Sequence, residues 1–255
     1  MAIIALKAWY LKKYEPVKEL EKRPHDLRLS KNSLLKSGLR ADFLEDSEEV
    51  KKSDWFGRYL EGDVVEFYIE GSGGYVISNI DLISHEIYFT KQAVMALLEP
   101  TIFFSSQSEY TDASEVMRLE LHKALEIFNQ RSRLPLTLVE SHRSSGPIRL
   151  NSMMLRNIRK SLLFIADGTP IARIAGQETN RLIPSPNVCV EIGYAMQSKR
   201  SEQILLTQMQ RPDLEGQLPF DLPKLQSLQF KDGKELNKML PQMIETQLTR
   251  FNLFS

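Results

Sequence analysis

Glu191 lies in the string Pro186-Asn187-Val188-Cys189-Val190-Glu191-Ile192-Gly193-Tyr194-Ala195, which reads as the opening of a helix capped by Asn187. A carboxylate placed in a helix first turn is favoured in its ionised form by the helix dipole, by about 0.3–1 kcal/mol. Negative charge beside a crevice with aromatic and hydroxyl neighbours suits cleavage of a ribosyl bond, whose transition state is an oxocarbenium ion. The competing reading is a solvated helix charge. Asp167, at the end of an apolar run, either caps the following turn or meets a ribose. Tyr194 packs in the core or bounds a pocket, Cys189 reads as a small buried hydrophobe, and His142 and Arg143 meet phosphates or face water.

Such residues need elements to bring them together. From residue 101 onward, short apolar runs alternate with helical periods, the pattern of a parallel sheet built from βα units. Strands are expected at 101–105, 134–139, 162–166, 204–209 and 225–230, and helices at about 113–131, after Asn151, after Asn187 and from about 233. Pro241 predicts a kink or restart in the last helix. Residues 168–186 read as a long polar loop. The fold class is α/β, a flavodoxin-like open parallel five-stranded sheet, whose ligands bind beyond the strand carboxyl ends at the switch point between strands one and three. Phe104, Ser105, Ser106 and Asp167 are expected there, partly exposed and near Glu191.

Residues 1–98 fall outside this alternation. The runs 64–70 and 75–83, separated by Gly71-Ser72-Gly73-Gly74, read as a hairpin; no Lys-Ser/Thr pair follows the glycines as a phosphate loop requires. Segments 31–45 and 50–60 look helical, and 3–11 and 86–90 could be strands, giving a smaller N-terminal α+β domain at 1–98 beside a domain at 99–255.

Composition narrows the class. Hydrophobic residues at 42% and charged ones at 26% are an ordinary globular mixture. Lys+Arg and Asp+Glu are equal at 33 each, so no global basic field gathers nucleic acid or an anionic membrane, and self-association meets little electrostatic resistance. The single cysteine and four scattered histidines predict no structural metal. The absence of a long apolar run points to a cytoplasmic protein.

The string 186–195, preceded by IADGTPI at 165–171 and followed by LPFDL at 218–222, resembles the bacterial TIR-like (Toll/interleukin-1 receptor-like) nucleotide-binding family, as do FFSSQSEYTD at 103–112 and the Gly146-Pro147 loop. The resemblance covers about residues 101–231 and implies NAD hydrolysis to nicotinamide and ADP-ribose or a cyclic form, often in antiviral defence. It implies Glu191 as catalytic residue and Phe104, Ser105, Ser106, Asp167, Thr169, Pro170, Asn187 and Tyr194 as substrate-binding residues. It implies NAD as substrate with no separate cofactor, and activation by self-association. A ligand or partner acting on residues 1–98 would supply the control. Departures from the family pattern are Lys160-Ser161 before strand three, Gly168 after Asp167, and Glu140-Ser141-His142 where an aspartate is usual. The string EIGYA also resembles the nucleoside deoxyribosyltransferases, and a nucleotide-binding or scaffolding module without turnover is the third reading.

Overall fold

The computed structural model describes residues 5–35, 38–141, 152–176, 179–218 and 226–254. The chain divides into two compact units, Met1–Leu98 and Glu99–Ser255.

In the first unit, β1 (Ala5–Tyr10), β2 (Leu27–Leu35), β3 (Gly38–Phe43), β4 (Glu66–Ile69), β5 (Gly73–Asp81) and β6 (Glu86–Lys91) close into a barrel of order β1-β2-β3-β6-β5-β4. Every neighbouring pair is antiparallel, and closure comes from β1, which pairs with both β2 and β4. Leu27, Leu29, Leu39, Ala41, Phe43, Phe67, Ile69, Ile87 and Phe89 alternate inward along their strands. The helix α1 (Val17–Leu20) sets Leu20 beside Trp9 and Tyr68, while α2 (Ser47–Lys51) and α3 (Asp54–Leu60) add Val50, Trp55 and Phe56 to the barrel core. This corrects the expected helix at 31–45, which is β2 and β3. Leu35, Leu39 and Phe43 recur every four residues and imitate a helical stripe, but the buried set Leu39, Ala41, Phe43 has a period of two. The unit keeps helices beside its strands, α2 and α3 falling on the helical segment expected at 50–60, and its strands close into a barrel that the sequence reading did not include. The hairpin forms as expected, with Gly71 (φ 66°) and Gly73 (φ 113°) in backbone conformations that side chains disfavour.

The second unit holds β7 (Glu99–Ser105), α4 (Thr111–Asn129), β8 (Thr137–Glu140), α5 (Ser152–Lys160) and β9 (Ser161–Asp167). After these come β10 (Pro170–Ile174), β11 (Arg181–Pro184), α6 (Pro186–Ser198), β12 (Ile204–Met209), β13 (Ser227–Phe230) and α7 (Gly233–Leu248). Five strands form a parallel sheet of order β13-β12-β9-β7-β8. Numbered along the chain, that is the 2-1-3-4-5 order of flavodoxin-like sheets, with its switch point between β7 and β9. All seven residues of β9 are buried, as a central parallel strand covered on both faces requires.

The pleat assigns faces. Phe103, Phe164, Ala166 and Leu206 pack against Val188, Ile192 and Ala195 of α6 and Ile158 of α5. Their chain neighbours point the other way: Asp167 accepts from Ser114, and Thr207 donates to Met117 Sδ, both on α4. Two expectations are corrected here. Residues 168–186 are not one loop, because β10 and β11 pair as an antiparallel two-stranded sheet. Pro241 lies inside a continuous α7 and does not restart it. The cap at Asn151, the residues His142 and Arg143, the Gly146-Pro147 loop and most of 218–222 fall outside the described residues.

Candidate functional site at the carboxyl edge of the parallel sheet

Pro186 at the first position starts α6, with Ser185 at its N-cap. Asn187 is therefore inside the helix and not its cap, and Glu191 falls in the second turn, one turn later than the sequence suggests. The proline with its fixed φ outweighed the capping preference of asparagine. Val188, Glu191, Ile192 and Ala195 are the buried stripe of α6 at steps of three and four, and Glu191 is 1% exposed. A carboxylate thus occupies a position whose spacing calls for a hydrophobe. Tyr194 packs partly buried against the same cluster. Ser105 pairs in register with Ala166, on the α6 face of the sheet. Among the described residues, its buried Oγ has no hydrogen-bond partner.

A polar knot closes the other face. Ser114 Oγ accepts from Gln107 N (2.9 Å) and donates to Asp167 Oδ2 (2.6 Å), while Asp167 Oδ1 accepts from Thr169 N (3.0 Å). Gln107 Nε2 donates to Thr169 O (3.0 Å), and Thr169 Oγ1 accepts from Met209 N (2.9 Å). Burial pushes the Asp167 carboxyl up, against the pull of the hydrogen bonds from Ser114, Thr169 and Gln107. Asp167 is a structural cap in this arrangement. Gly168 admits the close approach of β12, since a Cβ there would lie 2.6 Å from Leu206 Cδ1. Further along the edge, Ser185 Oγ donates to Glu109 Oε1 (3.0 Å), and Arg211 stacks over Tyr110 (4.3 Å) while donating to Pro170 O (3.2 Å).

The expected rim is corrected accordingly. Phe104, Ser105 and Asp167 are fully buried and Ser106 nearly so. They are divided between faces, Ser105 on the face that α6 covers, Phe104 and Asp167 toward α4. Gln107, in the loop after β7, ties that loop to Ser114 of α4 and to Thr169 beyond β9. Sequence reasoning missed Gln107 and Ser114. Ser114 carries a readable signal, a hydroxyl beside the apolar Ala113, Met117 and Leu121 on the buried stripe of α4; Gln107 carries none.

A cleft of about 380 Å³ opens beside the knot, between the carboxyl ends of β7 and β8 and the start of α4. The loop after β7 lines it with Ser106, Gln107 and Ser108, α4 with Thr111, Ser114, Glu115 and Arg118, and β8 with Glu140 and Ser141 just beyond it. Arg118 Nε donates to both oxygens of Glu140 (2.8 and 3.0 Å). Among the described residues, no three metal-ligating side chains gather, and no helix is long and apolar enough to cross a membrane.

No family model and no curated protein matches the chain. The TIR-like resemblance is carried by its motifs alone.

Proposed function

We propose that the second unit is an N-glycosidase that hydrolyses the nicotinamide–ribosyl bond of NAD, with Glu191 as the carboxylate facing the ribosyl cation. The observation that carries this reading is the burial of Glu191 on the core stripe of α6, whose residues Val188, Ile192 and Ala195 pack with Phe103 of β7 and Phe164 of β9. Putting an ionisable group there costs stability, and such groups concentrate where chemistry needs them. In the reaction the C1′–N bond breaks and its electron pair leaves with nicotinamide. Water then adds at C1′ and releases a proton, giving ADP-ribose. Ser105, on the same face, offers an uncommitted hydroxyl to the substrate. Because Glu191 is covered in this conformation, turnover requires opening of the edge, which assembly into a homo-oligomer would supply.

The test is nicotinamide release from NAD by the full chain across protein concentration. Wild type should release nicotinamide with a rate rising faster than protein concentration, and Glu191→Gln should reduce it about 100-fold or more with unchanged folding. Equal release by the two proteins overturns the assignment. Transfer of the ribosyl group to a second base, and not to water, would indicate a deoxyribosyltransferase-like enzyme. A nucleotide-binding module without turnover is favoured by one observation: the cleft beside α4 is lined without Glu191. Saturable NAD binding with no release at any concentration selects that reading.

A further inference from the structure

Helix α6 is inverted in its charge. Its one charged residue, Glu191, is buried, while the side facing away from the sheet presents Pro186, Val190, Gly193 and Met196 at steps of four, three and three. Val190 is 48% and Met196 56% exposed, and a Cβ on Gly193 would meet nothing within 4 Å, so the surface is open between them. A helix apolar on all sides is ordinarily covered on all sides. The neighbouring α5 shares a core cluster with α6 and adds exposed Arg156 and Arg159, Arg200 follows α6, and neither helix exposes a carboxylate. Bringing this face against its own copy would oppose arginines with arginines. Its complement is therefore acidic, with an apolar side chain to offer.

The barrel unit holds such a surface. Ile83, at the tip of the β5–β6 hairpin, is 95% exposed, and its turn is held in place. Asp81 Oδ1 accepts from Ile83 N (2.9 Å) and Ser84 N (3.1 Å), Ser47 Oγ donates to Leu82 O (2.9 Å), and His85, in left-handed backbone (φ 56°), stacks on Phe43. A turn so held presents its isoleucine at little further entropic cost, as an anchor residue requires. The Ser47 bond sets the start of α2 beside the turn, and there Asp46, Glu48 and Glu49 are exposed, Glu48 paired with Lys51.

We infer that the Ile83 turn of one molecule docks on the α5–α6 face of a second, with Ile83 over Gly193 between Val190 and Met196 and the α2 carboxylates meeting the arginines. The two surfaces are unlike, so each bound molecule keeps one of them free and assembly continues into a filament or ring. The motifs that resemble the TIR-like family lie outside the barrel, so this contact is additional to what they imply. It supplies surfaces for the assembly invoked in NAD cleavage and to that extent rests on that reading, while its test reads mass alone.

Sedimentation of the full chain across protein concentration, at low and high salt, is the test. Wild type should grow past a dimer, and less so at high salt. Ile83→Asp and Val190→Glu, both at exposed positions, should each weaken assembly about 30-fold or more and stay monomeric where wild type assembles. Mixed in equal amounts they should form a dimer and nothing larger, because the first keeps an intact α6 face and the second an intact turn; two misfolded proteins would not restore each other. A monomeric wild type, either variant assembling as wild type does, or a mixture that stays monomeric would overturn the inference. Nicotinamide release plays no part in these readings, so the contact can fail while Glu191 keeps its role, and the reverse.

Discussion

Asp167 and Glu191 are both carboxylates withdrawn from water, and their surroundings give them different work. Asp167 accepts from Ser114 and from the Thr169 amide, so it joins α4, β9 and the turn beyond. Asp167→Ala should cost about 2–4 kcal/mol in urea unfolding, because it strands buried donors. Glu191→Gln should leave the unfolding midpoint unchanged or higher, since it removes a buried ionisable group, and should lower nicotinamide release by about two orders of magnitude. Lys199 gives a third test. Burial lowers its ammonium from 10.5 to about 7 as it donates to Ser161 O. Between those values the unfolded chain binds more protons than the folded one, so the Lys199 contribution makes stability rise with pH from about 7 and level off near 10.5. Below pH 7 the penalty is present in full. Lys199→Met should therefore be more stable than wild type at pH 6, with the difference shrinking as pH rises toward 10.5, measured by unfolding across that range.

At the scale of elements, the parallel sheet was legible because its strands are buried on both faces and read as unbroken apolar runs such as LLFIA at 162–166. The run 204–209 matches β12 residue for residue. The barrel was not legible: its closure joins β1 to β4, about sixty residues apart, and no local pattern encodes that pairing. The β10–β11 pair escaped notice because β10 is largely solvent-exposed, so its hydrophobicity does not alternate. Of the candidate site, Glu191 was readable and its burial was not, since Pro186 shifts the helix start by two residues relative to Asn187. Pro241 gives this scale its prediction. It sits inside α7 without breaking it and leaves Asn237 O without its helical donor. Pro241→Ala should raise stability by about 1–3 kcal/mol in chemical denaturation, and a loss of stability would show that the neighbours of α7 require the proline.

For the whole molecule, the two units carry separate cores, one inside the barrel and one on the parallel sheet. Each core closes over its own strands, so a fragment of residues 99–255 is expected to fold with the mixed secondary structure of the second unit. The residues proposed for chemistry all lie in that unit, and the barrel contributes none of them. An enzyme destroying NAD without restraint would harm its own cell, so the proposed activity calls for control, and we propose that the barrel exerts it. Balanced charge permits assembly, with 33 acidic and 33 basic residues in the chain. The outward face of α6 carries exposed Val190 and Met196, apolar surface that an oligomer could cover. The prediction is that residues 99–255 alone bind NAD yet lose the steep dependence of nicotinamide release on protein concentration that the full chain shows. Sedimentation and nicotinamide assays on both proteins over the same concentration range check it. Identical assembly and identical concentration dependence in the folded fragment would remove any regulatory role from the barrel.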